Sequence, residues 1–181
     1  KIATAMVVLD WAKLSGTSMA EIAIVPQGTS LIGGFNPMGL IPGDRISLRE
    51  AMYSMLLGSD NVAAATLADH AGRSIQSRSG GLSPEAAFVN EMNNLARGLG
   101  MQQTRFVNPH GMDVRRSQGI STARDMARLA IYAMRNPGFQ FYVKQTERTI
   151  SSFRVNQKRS FKVRNAHAMI GRGDVNGIKS G

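Results

Sequence analysis

The chain has 181 residues, 43% of them apolar and 19% charged, which suits one domain with a sizeable core. No run of about 18 apolar residues occurs, so no transmembrane helix is predicted, and the lack of cysteine excludes disulfides and thiol catalysis. The net charge is +10, yet no zinc-finger spacing or RNA-recognition signature accompanies it, so nucleic acid is not an expected partner. His70, His110 and His167 are scattered without paired-ligand spacing, so neither a metal nor another cofactor is expected.

Ile2 to Leu9 is apolar but is followed by Asp10 and Lys13 without a small-residue cleavage site, so it reads as a helix rather than a signal peptide. Helical spacing runs from Lys1 to Leu14 and ends at Ser15-Gly16. Glu21 to Val25 is a predicted strand, and the Gly- and Pro-rich stretch up to Asp44 a loop. Ser47-Leu48-Arg49-Glu50 is a capping box opening a helix to Leu57. Gly58 to Asn61 interrupts it, and Val62 to Ala71 is helical again. Arg73 to Leu82, polar and rich in Gly and Ser, is predicted to be a mobile loop. Ser83-Pro84-Glu85 starts a helix that reaches Gly98 or Gly100. A further helix starts at Ser121 and ends at Pro137. Glu147 to Val163 carries β-type residues with a break at 156–158, a hairpin. Within it and at its flanks lie Lys144, Arg148, Arg154, Lys158, Arg159, Lys162 and Arg164, opposed only by Glu147. That local +6 reads as a solvated hairpin surface, with an anionic envelope surface as a further partner class. Gly177 to Gly181 is predicted to lie in mid-strand. The pattern is mixed α and β, with a helical lobe beside a sheet.

Three short pieces carry chemistry: Lys1 opening a helix, Ser59-Asp60-Asn61 at a break between helices, and Lys179-Ser180-Gly181 near the other end. S-x-x-K, S-D-N and K-T-G together mark serine β-lactamases and penicillin-binding proteins. Longer strings narrow the choice. Lys1 to Met6, Leu56 to Ala63, Phe106 to Met112, Ser121 to Ala127 and Asn176 to Gly181 resemble, in order, five signatures of serine D-alanyl-D-alanine carboxypeptidases. Serine at 180 departs from the usual threonine. The resemblance covers essentially the whole chain and implies a β-lactamase/DD-peptidase-like fold with an antiparallel sheet. It makes residues 1–181 a single DD-peptidase domain that reads as incomplete at both termini, with the nucleophilic serine three residues ahead of Lys1.

By this resemblance the catalytic residues are Lys1 as base, Ser59 as proton relay and Asn61 as holder of the substrate amide. Lys179, Ser180 and Gly181 would bind the substrate. The implied partners are peptidoglycan stem peptides ending in D-Ala-D-Ala, with β-lactams as covalent inhibitors, and the implied location is the periplasm or cell envelope. The chemistry agrees: positions three apart share a helix face, and a lysine must be neutral to take the serine proton. Moving its pKa from about 10.4 toward 7 costs the charged form about 4 kcal/mol, and burial and a second cation such as Lys179 both act in that direction. Two other readings are a class A-like β-lactamase and a peptidoglycan-binding pseudo-enzyme without a nucleophile. The first needs an E-x-x-L-N loop, and the nearest string, Glu91-Met92-Asn93-Asn94-Leu95, has the wrong order inside a predicted helix. Asn108-Pro109-His110-Gly111 reads as a structural turn without a catalytic role.

Overall fold

The computed structural model describes residues 1–79, 83–113 and 118–181. Helix α1 (Ile2–Ser15) is buried along Ala3 to Val8 and again at Trp11 and Ala12. A helix apolar on nearly every side belongs in the middle of a fold, and α1 packs against α2 (Leu48–Leu57), α3 (Asn61–Ser79), α4 (Pro84–Gly98), α5 (Ala123–Met134) and α6 (Pro137–Val143). Gly16, at φ 70, ends α1 in the left-handed region and returns its N–H to the Ala12 carbonyl.

Beside this helical lobe lies a four-stranded antiparallel sheet in the order β1 (Ile22–Ile24), β2 (Arg45–Ser47), β3 (Glu147–Arg154), β4 (Gln157–Arg164). The 147–163 hairpin forms as predicted, in a register running from Glu147 opposite Arg164 to Arg154 opposite Gln157. Its turn falls on Val155 and Asn156 rather than on the predicted 156–158, because Gln157 and Lys158 already pair with Arg154 and Phe153. The short β2 carries no periodicity of its own. It exists because Ile46 pairs with Ala23, and because Arg45 faces both Ile24 and Phe153. Arg154 then reaches back to the buried Asp44 through two 2.8 Å contacts, fastening β3 to the residue that precedes β2. Ser47 ends β2 and caps α2, its Oγ accepting from the Glu50 N–H at 3.2 Å. Glu50 does not complete the reciprocal half of a capping box. Its carboxylate accepts from Ser47 Oγ and, across the lobe boundary, from Ser151 N–H and Oγ.

Three expectations need correction. The polar stretch 73–82 is not a loop: α3 continues to Ser79, and residues 80–82 lie outside the described residues. The helix predicted for Val62 to Ala71 runs on through Gly72, which serves close packing. A Cβ there would sit 2.1 Å from the Pro84 carbonyl oxygen, so only glycine lets the start of α4 lie against α3. Pro137 does not merely stop α5; it is an early residue of α6, whose cap is Asn136 accepting from the Phe139 N–H. Finally, Gly177 to Gly181 forms no strand. A strand exists only by hydrogen bonding to a neighbour, and none of the four strands pairs with this segment.

Candidate active site

Lys1 stands at the N-terminal end of α1, half-buried. Its ammonium donates to Asn61 Oδ1 and to the His110 carbonyl, both at 2.6 Å. One turn on, Thr4 Oγ1 donates to the Pro109 carbonyl at 2.6 Å, so α1 is pinned twice to the same loop. The Lys1 pKa is lowered to about 8, first by burial and then by the positive charge of Lys179; Asp60 opposes both. A neutral amine keeps two N–H bonds and one lone pair. The two acceptors can engage both N–H bonds and leave the lone pair open to take a proton.

The break between α2 and α3 is built around Asp60, which is fully buried. Its carboxylate accepts from Ser54 Oγ at 2.7 Å and from the Ala63 N–H at 2.9 Å, closing the end of α2 onto the start of α3. Burial raises the Asp60 pKa against those bonds. Ser59 is thereby held at φ 58, an uncommon conformation for a residue with a side chain, and among the described residues nothing hydrogen-bonds its hydroxyl. Asn61 is buried. Its Nδ2 donates to the Gly33 carbonyl at 2.8 Å and its backbone N–H to Phe35 O at 2.8 Å, while its Oδ1 serves Lys1.

The 103–112 loop closes the site and is stitched down by side-chain amides. Asn93 of α4 brackets Phe106, donating to its carbonyl at 2.9 Å and accepting from its N–H at 2.8 Å. Asn108 spans its own turn, accepting from Gly111 N–H and donating to Met112 O. Asp125, capped in α5 by Thr122, holds Gln103 N–H and Thr104 Oγ1 and so anchors the start of this loop. The His110 ring is buried and its Nδ1 accepts from the Met112 N–H. Burial, followed by the charge of Lys1, drives its pKa down to about 4, so the ring is neutral with its proton on Nε2.

Lys1 and Asn61 are therefore in direct contact, and Lys179 acts on Lys1 through its charge. Lys179 is half-buried, with its pKa lowered by burial, and its ammonium donates to Ser180 O at 2.6 Å and Ser180 Oγ at 3.4 Å. Gly181 is exposed. The sequence pointed to no role for the carbonyls of Gly33, Phe35, Pro109 and His110. A backbone acceptor has no residue signature; the only trace was the Phe106–Met112 string itself. Glu91 lies inside α4, where its carboxylate accepts from Asn94 Nδ2, and lines a cavity with Asp10 and Trp11 at the opposite end of α1 from Lys1. Among the described residues no cluster of His, Asp and Glu could hold a metal ion, and no helix is long and apolar enough to cross a membrane.

Comparison with known proteins gives the chain a family. A D-alanyl-D-alanine endopeptidase of Pseudomonas aeruginosa is 35% identical over 162 residues, covering 90% of this chain and 47% of the relative. A D-alanyl-D-alanine carboxypeptidase of Streptomyces strain K15 is 31% identical over 144 residues, covering 80% of this chain and 47% of the relative. The chain thus spans about half the length of the curated relatives it matches. The structure of a variant of the Streptomyces K15 DD-transpeptidase superposes with a TM-score of 0.82 at 26% identity, covering 99% of this chain and 68% of that one. Residues 1–181 match the D-alanyl-D-alanine carboxypeptidase family throughout, and the chain belongs to that family.

Proposed function

We propose that this chain forms the base, relay and substrate-carboxylate side of a serine-type D-Ala-D-Ala carboxypeptidase acting on peptidoglycan stem peptides. The observation that carries the reading is the 2.6 Å bond from Lys1 to Asn61, which joins two motifs 60 positions apart. In this reading a serine three residues ahead of Lys1 shares its helix face and loses its proton to the neutral Lys1 amine. The serine oxygen attacks the carbonyl carbon of the penultimate D-Ala, and the bond to the terminal D-Ala nitrogen breaks as that amine gains a proton through Ser59. Water then cleaves the acyl ester and restores the serine. Asn61 positions the substrate amide, and Lys179 with Ser180 receives the terminal carboxylate. Gly181 backbone lies along the acyl chain.

Lys179 now donates to Ser180, so substrate binding exchanges that internal bond for a charge-assisted one to carboxylate. β-Lactams acylate the same serine, and an envelope location follows from the substrate. Intact-mass spectrometry of a longer protein carrying that serine, mixed with a labelled penicillin, tests the reading: one acyl group is expected, and Lys1→Ala lowers its rate by about 10² to 10⁴. An unchanged rate in Lys1→Ala removes the base assignment. No adduct on the folded longer protein favours a binding protein instead.

A further inference from the structure

Away from Lys1, a buried hydroxyl stands without a hydrogen-bond partner beside two guanidiniums that pair with no described carboxylate. Tyr53 of α2 is 1% exposed, and its phenolic oxygen is buried with no hydrogen bond. Such a group is rare in a folded protein, because it has given up water and received nothing in exchange. Tyr53 lines a cavity of about 280 Å³ together with Arg49, Glu50, Arg148 and Thr149. The Arg148 guanidinium lies over the Tyr53 ring, 5.2 Å from its centroid, and the Arg49 guanidinium donates to the Tyr142 hydroxyl. Among the described residues neither arginine pairs with a carboxylate. Glu50 is the cavity's one acid, and Ser47 and Ser151 already occupy its oxygens.

The cavity thus offers as donors the Tyr53 hydroxyl and two guanidiniums, of which Arg49 uses part of its fork on Tyr142 and keeps its other N–H groups. It opens at the start of β3, within the +6 segment that draws anions toward it. We propose that the cavity binds an oxyanion of the phosphate class, with Arg49 and Arg148 on its charge and Tyr53 donating its hydroxyl once Arg148 turns off the ring. Two guanidinium forks match the several acceptors of such a group.

Amide chemical shifts of the chain, followed during titration with inorganic phosphate at ionic strength held constant with chloride, test the site. Shifts centred on 47–53 and 148–150 are expected. Arg148→Gln should weaken binding about tenfold, which is about 1.4 kcal/mol, and Tyr53→Phe severalfold. Lys158→Gln, on the same hairpin but outside the cavity, should leave binding as it is. No phosphate-specific shifts would overturn the proposal. Equal weakening by Lys158→Gln and Arg148→Gln would replace the site with diffuse hairpin charge. Unchanged binding by Tyr53→Phe would overturn the donor role and give the hydroxyl to a buried water. A short poly(glycerol phosphate) in place of phosphate distinguishes the source: tighter binding identifies a polymer phosphodiester, weaker binding the free ion.

Discussion

Asn61 grips Lys1 and the 33–35 loop with opposite ends of one amide: Oδ1 accepts from Lys1 Nζ at 2.6 Å while Nδ2 donates to Gly33 O at 2.8 Å. The amide is neutral, so it orients the amine without stabilising its positive form as a carboxylate would. Asn61→Asp keeps the acceptor, adds a negative charge and loses the donor to Gly33. The Lys1 pKa, read by NMR titration of its labelled ε-carbon, should rise from about 8. A pKa that stays in place would show that Asn61 does not control the charge on Lys1.

Lys179 acts in the opposite sense. Its charge lowers the Lys1 pKa, so Lys179→Met should raise it and move the limb of any Lys1-dependent acylation to higher pH. The same depression has a stability consequence. Between the folded pKa near 8 and the unfolded value near 10.4 the unfolded chain binds more protons, so stability increases with pH across that window. Lys1→Met should flatten this rise in urea unfolding measured from pH 7.5 to 10.5. A slope equal to that of the wild type would contradict the buried, depressed lysine.

Gly34 is required twice over. It sits at φ +80, and a Cβ there would lie 2.6 Å from Asn61 Nδ2 and 3.1 Å from Met112 Sδ. Gly34→Ala therefore strains the backbone by about 1–2 kcal/mol and displaces the amide that holds Lys1. The expected result is a lower urea midpoint together with a changed Lys1 titration. Loss of stability with an unaltered Lys1 pKa would confine the effect to the loop.

Asp44 is 1% exposed beneath Arg154. Burial alone raises a carboxyl pKa, but here hydrogen bonds from Arg154 and the Ile41 N–H outweigh it, and the folded pKa lies below its ordinary value. This stabilisation is present above the unfolded pKa of about 3.9 and is lost as pH falls through the folded one. Arg154→Gln leaves the desolvation in force and raises the Asp44 pKa. The stability difference between wild type and variant should be largest at neutral pH and shrink on acidification. A difference independent of pH would assign the role of Arg154 to its hydrogen bond with the Gly39 carbonyl alone.

Much of this was open to reading along the chain, because it depends on neighbours within a few residues. The apolar α1, the Ser47 and Ser83 caps and the 147–163 hairpin are local properties, and the structure contains each of them. Tertiary structure decided the rest. Arg73 and the serines after it read as a loop, yet packing of Gly72 against Pro84 keeps α3 helical to Ser79. The three residues of β2 are a strand only because β1 and β3 flank them. Two lysines 178 positions apart share one electrostatic environment only after folding, and it is folding that lowers the Lys1 pKa to about 8. The other acceptor of Lys1 is a backbone carbonyl, which every residue type possesses; only the course of the 105–112 loop brings the one at His110 to the end of α1.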